Sequence, residues 1–477
     1  MSMFRIAAAA TAVSLALGFG QMANAESAGD RAVAAAQKYS GTTLSLHSEA
    51  GLQALGWELW NAQQWKELTG ITVDQTSAPV NEMFVTTVQD FRGPANFDVL
   101  DVAPAYLPDL VEMGAVVPVN DWMDQFGYWD DYNDIAGAYK GWGEYKGKVY
   151  GFPDDGDVHV MMYRKDLIDE DAANQSEFKE KYGYKLAAPT TWKEWDDVAQ
   201  FITDKYGPDI YGAAQPRAKG LTLYFWMDMF RDYGGRFFDV ETMNCTWNSE
   251  AGVSSLSDFV EQRRYMPPGA DAWGFTEAAA SMLNGHVALH YTWPGVGRWI
   301  QNVGTDIEAM NWVPPSHVEG KIGYAVPPGG TPELAVGWII SVASKSDNQE
   351  AAYLFAQWSN SIEVSTGKTS LGYSIRDPFR VSHYADPGFR NLWSNAGQYL
   401  DALKTAGENG VQDLTVIQAQ KYHDLIDNAV QAAIGGEDAQ SALDTACKSA
   451  DRVTKQIGVD RQRDVYKQFA AQENAYR

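Results

Sequence analysis

Hydrophobic and polar positions follow two periods along the chain, and the two periods alternate. Short apolar or alternating runs of the kind that forms strands stand at 42–47, 71–73, 97–102, 158–163 and 337–341. Apolar residues recur at helical spacing at 51–68, 106–113, 189–202 and 348–359 and, with breaks at 407–410 and 435–436, over the tail 400–468. Because alternating strands and helices are typical of sheets covered by their crossover helices, the pattern predicts an α/β fold with mostly parallel sheets.

The first 25 residues have the pattern of a signal peptide. Arg5 supplies a positive charge, residues 6–19 are almost wholly apolar, and Ala23-Asn24-Ala25 is a small-x-small cleavage site. The apolar run is shorter than the roughly 20 residues that a membrane helix needs. We therefore expect cleavage after Ala25 and, since no cysteine stands at the cleavage site for lipid attachment, a mature protein in the periplasm.

Composition narrows the function classes. The formal net charge of −25 disfavours nucleic acid and anionic membranes as partners. Cys245 and Cys447 are the only cysteines, so in an exported chain they either pair or stay as two separate thiols. Neither they nor the seven histidines have zinc-ligand spacing, and we expect no metal and no cofactor.

Five passages in a fixed order resemble the family 1 extracellular solute-binding proteins of ABC sugar importers, which share the maltose-binding-protein-like fold. They read NFDVLDVAPAYLPDLVEMGAVVPVNDW, KGKVYGFPDDGDVHVMMYRKDL, a Pro-x-Thr-Trp-x-Glu helix, FTEAAASMLNGHVALHYTWP and a Ser-Lys…Glu-Ala-Ala return, at 96–122, 146–167, 188–202, 275–294 and 335–361. His286 and Val336 depart from the family pattern, in which lysine and glycine are usual. The resemblance covers most of the mature chain and becomes less specific beyond about residue 440.

That resemblance implies two α/β lobes with a hinge between them and the ligand in the cleft. The first lobe would comprise residues 26–155 plus about 333–370, and the second 156–332 plus about 371–477. It further implies a periplasmic monomer without enzymatic activity, which captures a carbohydrate or polyol and delivers it to the transmembrane subunits of an ABC permease.

Candidate ligand-binding residues follow from sugar chemistry and from their positions near strand ends and lobe crossings. A sugar offers apolar C–H faces and a ring of hydroxyls, so its site needs aromatic plates together with fixed donors and acceptors. Asp155, Asp157 and His159 share one face of an extended segment at the first crossing. The full set is Glu49, Trp57, Tyr106, Asp155, Asp157, His159, Trp226, Tyr291, Trp293, Trp338, Tyr373 and Arg376.

Two other functions stay open from the sequence. An exported glycoside hydrolase would use paired carboxylates, but carboxylates are so abundant here that finding pairs carries no weight. Hydrolase and phosphate-binding motifs such as Gly-x-Ser-x-Gly, His-Glu-x-x-His and the P-loop do not occur. A binder of another solute is the second alternative: Asp154, Asp155 and Asp157 would suit a polyamine, whereas Arg217, Arg298 and Arg376 would suit a sugar acid.

Overall fold

The computed structural model describes residues 26–475, with side chains to residue 471. The predicted signal peptide and its cleavage site after Ala25 lie outside the described residues. The strands are β1 Thr43–Glu49, β2 Thr72–Ala78, β3 Val99–Val102, β4 Glu144–Tyr145, β5 Lys148–Val149, β6 Gly151–Asp155, β7 Val160–Arg164, β8 Tyr211–Ala214, β9 Val287–Thr292, β10 Ile322–Ala325, β11 Glu333–Leu334, β12 Trp338–Val342 and β13 Val411–Gln412.

The α-helices alternate with these strands and then dominate the second half of the chain. They are α1 Ala28–Ala36, α2 Leu52–Gly56, α3 Ala62–Thr69, α4 Met83–Arg92, α5 Leu107–Glu112, α6 Asn120–Phe126, α7 Trp129–Asn133, α8 Gly137–Lys140, α9 Lys165–Ile168, α10 Ala172–Tyr182, α11 Trp192–Tyr206, α12 Thr222–Asp232, α13 Glu250–Glu261, α14 Phe275–Leu283, α15 Gly295–Ile300, α16 Gln349–Ser359, α17 Ile362–Ser370, α18 Val381–Ala385, α19 Pro387–Arg390, α20 Ala396–Asn409, α21 Ala419–Ile434, α22 Ala439–Ile457 and α23 Val459–Ala475. Within residues 26–475, none of the helices has the length and apolar character needed to cross a bilayer.

Two sheets organise the chain, and both are mixed. The first has the strand order β2-β1-β3-β12-β6, in which β12 is antiparallel to both of its neighbours. The second has the order β10-β7-β9-β8, in which β7 is antiparallel to both of its neighbours. All other strands of each sheet run in one direction, so the sheets are mostly parallel, as predicted, with one reversed strand each.

The reversed strand in each sheet has a common cause. Strand β7 is the first strand after the chain leaves β6 for the second sheet, and β12 is the first strand of the first sheet after the chain returns. Each of them starts beside the carboxyl end of a neighbour: Val160 pairs with Thr292, and Trp338 pairs with Asp155. A strand that enters from the other sheet runs away from the junction, whereas its neighbours run towards it. The residue boundaries of the two lobes stay a prediction.

Two local features refine the sequence predictions. The helix expected at 51–68 is interrupted, because the backbone takes a π-helical turn at Trp57–Asn61 between α2 and α3. The two cysteines form a disulfide, with their Cα atoms 5.2 Å apart, and it ties the segment before α13 to α22. The alternative of two separate thiols is not what the structure shows.

Candidate functional site

A cavity of about 280 Å³ lies where strand ends of the two sheets meet. Glu49 ends β1, Asp157 follows β6, Trp293 follows β9, and Trp338 begins β12. Ligand sites of α/β proteins form outside the carboxyl ends of strands for the same topological reason. The other lining residues are Ala50, Leu52, Gln53, Val80, Leu221, Phe275, Gly295, Val336, Ile375 and Asp377.

Three carboxyl groups line this cavity, and among residues 26–471 no basic side chain lines it. Burial raises the pKa of Glu49 to about 8, although Arg376 opposes the shift. Burial likewise raises the pKa of Asp377 to about 8 against the attraction of Arg298. The pKa of Asp157 lies well above its usual value because of burial and the neighbouring carboxylates of Asp155 and Asp377. Each of these carboxyl groups is therefore stabilised when a proton or another positive charge neutralises it.

A network of buried ion pairs lies behind the carboxyl-lined wall. Arg376 places NH2 2.9 Å from Asp101 Oδ2, Nε 3.2 Å from Asp154 Oδ2 and NH1 3.6 Å from Asp155 Oδ2. Lys368 contacts Asp154 from the other side, and both cations lie over the Trp57 ring, 4.6 and 5.5 Å from its centroid. Breaking a buried pair of this kind costs roughly 3–5 kcal/mol, so the network holds the wall in place.

Asp155 connects this network to the cavity. Its Oδ2 accepts a hydrogen bond from Gln53 Nε2 at 2.9 Å, and its Oδ1 accepts one from the Asp377 backbone N–H at 2.7 Å. Gln53 and Asp377 both line the cavity, so Asp155 orients two lining groups without lining it. Asp157 accepts from the Gly337 N–H at 3.1 Å, which joins the first crossing to the return crossing.

The aromatic wall is held in a similar way. Trp293, 8% exposed, donates its indole N–H to the Ala335 carbonyl. Its ring packs edge-on against His159 and Phe225, with centroids 5.1 and 5.2 Å away. His159 is itself fixed by Asp228, whose Oδ2 lies 2.7 Å from Nδ1. The indole plane therefore has a defined orientation towards the cavity.

The residues predicted from the sequence fall into three groups. Glu49, Asp157, Trp293 and Trp338 line the cavity. In the second group, Asp155, His159 and Arg376 contact lining residues without lining the cavity. Trp57 and Tyr291 lie one layer further back, where Trp57 contacts Arg376 and Tyr291 contacts His159.

The third group does not reach the cavity. Trp226 faces the core of the second sheet, where Nε1 donates to Ser255 Oγ at 3.2 Å and the ring stacks on Phe230. Tyr106 packs between the rings of Phe84 and His423, and Tyr373 packs half-buried against the first hydrophobic core. These three assignments are corrected: each residue stands near a strand end or loop, but its side chain turns towards a core.

Sequence reasoning missed several lining residues. Asp377 directly follows the predicted Arg376, and Gln53 stands between the predicted Glu49 and Trp57, so proximity to these candidates was an available signal. The apolar lining residues carried no such signal, because apolar residues in a sequence usually indicate core positions. These residues are Val80, Leu221, Phe275, Val336 and Ile375.

Comparison with known proteins places this geometry in a family. The sequence profile described as "Bacterial extracellular solute-binding protein" matches residues 45–364. A relative from Sinorhizobium fredii, named "Probable amino-acid ABC transporter periplasmic-binding protein y4oP", is 27% identical over 384 residues, covering 78% of this chain and 80% of that protein. The mannitol-binding protein of Pseudomonas aeruginosa is 23% identical over 342 residues, covering 66% of this chain and 71% of that protein.

Solved structures support the same assignment. The fold matches an ABC transporter solute-binding protein from Agrobacterium radiobacter, solved in complex with ribitol, with a TM-score of 0.71 and 24% identity; the match covers 87% of this chain and 99% of that one. The two-lobed α/β fold and the family predicted from the five passages are thereby confirmed. The chain belongs to the bacterial extracellular solute-binding proteins.

Proposed function

We propose that this protein is the periplasmic binding component of an ABC importer and captures a carbohydrate or polyol in the cavity between the two sheets. The observation that carries the proposal is the lining of the cavity. Its carboxyl groups can accept hydrogen bonds from the hydroxyls of a ligand, and its indole rings can cover the C–H surfaces of that ligand. The relative named for mannitol and the fold neighbour solved with ribitol support a polyol.

The cavity volume supports a small ligand. A volume of about 280 Å³ lies close to the lower end of the range of small-molecule sites, which favours a pentitol, a hexitol or one monosaccharide.

The basic residues argue against a sugar acid. Arg298 NH1 lies 3.0 Å from Asp377 Oδ1, Arg376 is engaged by Asp101, and Arg217 Nε lies 2.9 Å from Asp271 Oδ1. Each of the three arginines thus already has an acidic partner, and an anionic ligand would face the lining carboxyl groups instead.

A thermal-unfolding panel of pentitols, hexitols, monosaccharides and sugar acids tests the proposal. A ligand present at 100 times its dissociation constant stabilises the folded protein by about 2.7 kcal/mol. We expect stabilisation by at least one neutral polyol or sugar. We also expect that ligand to be recovered unchanged after prolonged incubation, because the proposed role is that of a monomeric carrier that delivers its ligand to the permease. Stabilisation by sugar acids alone, or hydrolysis of a glycoside, would contradict the proposal.

A further inference from the structure

The charge of the buried site is unbalanced. Six carboxyl groups, those of Glu49, Asp101, Asp154, Asp155, Asp157 and Asp377, surround three cations, Lys368, Arg298 and Arg376. The cations all lie on the far side of the lining wall, and the carboxyl groups of Glu49, Asp157 and Asp377 face the cavity. With a neutral ligand these carboxyl groups avoid buried charge only by holding protons, whereas a cationic ligand would offset their charge directly.

Unused acceptor atoms mark where a positive group would bind. Within the described part of the chain, Asp377 Oδ2 and Gln53 Oε1 have no hydrogen-bond partner, and both residues are more than 90% buried. The Gln53 amide nitrogen is bonded to Asp155, so the amide oxygen is the atom left to accept from a ligand. Asp155, Asp157 and Asp377 each offer an oxygen, and these oxygens all lie within 4.8 Å of one another.

A primary ammonium group has donors that suit these acceptors. It carries three N–H donors, each of which can form a charge-assisted hydrogen bond to a carboxylate or amide oxygen. Calcium needs about six to eight oxygens, and Asp155 already accepts from Gln53 and Asp377. Asp157, Asp377 and the Gln53 amide together offer three acceptors, which equals the number of N–H donors of an ammonium, whereas calcium would need several further oxygens from Glu49, the ligand or water.

The remaining walls suit a carbon skeleton. Trp293, Trp338 and Phe275 present aromatic surface, and Leu221 and Ile375 present aliphatic surface. We propose that the ligand is an amine-bearing sugar or amino polyol whose ammonium group binds between Asp157 and Asp377. This inference rests on the proposed function, because it specifies the chemical class of the small polyhydroxylated ligand.

Matched ligands separate the charge from the hydroxyls. Titration calorimetry compares D-glucosamine with D-glucose and N-acetyl-D-glucosamine, and 1-amino-1-deoxy-D-sorbitol with D-sorbitol, with EDTA present throughout. We expect at least one amine to bind tenfold or more tightly than its neutral counterpart, and N-acetylation, which removes the charge, to abolish that advantage.

Variants locate the amine. Asp157→Asn and Asp377→Asn should each weaken binding of the preferred amine at least tenfold more than they weaken binding of its neutral counterpart, because both ligands lose a hydroxyl acceptor and only the amine loses a charge partner. Asp121→Asn removes the same charge from an exposed position outside the cavity and should change neither. Thermal unfolding of each variant without ligand identifies any that fails to fold, and the ligand pairs carry the test independently of the variants.

The outcomes separate the two proposals. Equal affinity for amine and neutral partners, or binding that appears only when calcium replaces the EDTA, overturns the amine inference and leaves the proposed function in place. Putrescine, an amine without hydroxyls, is titrated as well. Binding of putrescine alone, or no binding of any compound here together with no stabilisation by a neutral polyol or sugar in the thermal-unfolding panel, overturns both.

Discussion

Trp293 gives the sharpest test of the cavity, because its indole is both a ligand-facing plate and a fixed part of the wall. Replacing it by leucine removes the aromatic plane and the N–H that bonds the Ala335 carbonyl, while keeping part of the buried volume. The same replacement at Trp226 removes an indole that is also buried but bonds Ser255 Oγ in the core of the second sheet. The two variants therefore share their chemistry and differ only in position.

The expected magnitudes follow from burial. A sugar or polyol face that covers roughly 60 Å² of the indole contributes about 1.5 kcal/mol of binding free energy at about 25 cal/mol per Å². Losing that contact weakens binding a little more than tenfold. Each variant also loses one buried hydrogen bond and some packing, so we expect both to lower the free energy of unfolding by about 2–4 kcal/mol.

The assay pairs urea unfolding, which reports stability, with calorimetric titration of the best ligand from the panel. Both variants should lose comparable stability, and only Trp293→Leu should lose affinity. An unchanged affinity in Trp293→Leu, or an equal loss in Trp226→Leu, would refute the assignment of the aromatic wall.

Three further predictions concern stability. Replacing Cys245 and Cys447 by serine opens a loop of 202 residues and should lower the free energy of unfolding by about 2–5 kcal/mol, measured by urea unfolding, with unchanged ligand affinity because neither residue lines the cavity. Arg376→Met leaves three buried carboxylates without their arginine and should cost about 3–5 kcal/mol in the same assay, and a cost below 1 kcal/mol would contradict the proposed role of the network. Burial raises the pKa of Asp377 to about 8 despite Arg298, so the folded protein binds more protons than the unfolded chain between about pH 4 and 8. The contribution of this group to stability is complete below about pH 4 and is lost as the pH rises through 8. The ligand-free melting temperature should therefore fall between pH 5 and 8, and Asp377→Asn should flatten that slope; parallel pH profiles for the two proteins would contradict the assignment.

The fold was largely predictable because periodicity reports which face of an element is buried. The helix at Trp192–Tyr206 begins where its Thr191-Glu194 capping box indicates, and Thr191 accepts from the Glu194 N–H at 3.2 Å. Strand direction was not predictable in the same way. In sequence, β7 and β12 are buried apolar runs. Such a run does not indicate whether the strand will be parallel or antiparallel to its neighbours.

The site divides along similar lines. Glu49, Asp157 and Trp293, which were chosen for their position near a strand end or crossing, line the cavity. Trp226 does not line the cavity, although its helix begins next to it. Leu221, directly before the first residue of α12, lines the cavity, whereas the side chains further along the helix point in several directions and that of Trp226 points into the core. Local sequence identifies which element reaches a site, but the side of that element is fixed by packing between distant segments.

The placement of charges connects the site to the hinge predicted from the sequence. Asp155 and Asp157 lie at the first crossing, and Ala335 and Gly337 lie at the return crossing. Hydrogen bonds join Asp157 to the Gly337 N–H and the Ala335 carbonyl to Trp293 of the second sheet's wall. A ligand that binds Asp157 and Trp293 together contacts the segment that leaves the first sheet and the wall of the second sheet at once, and it shifts the population towards conformations in which these walls meet. The size of this shift depends on how much more tightly the ligand binds the closed form than the open form. A ligand that offsets the charge of Asp157 should therefore favour closure more strongly than a neutral ligand of equal size.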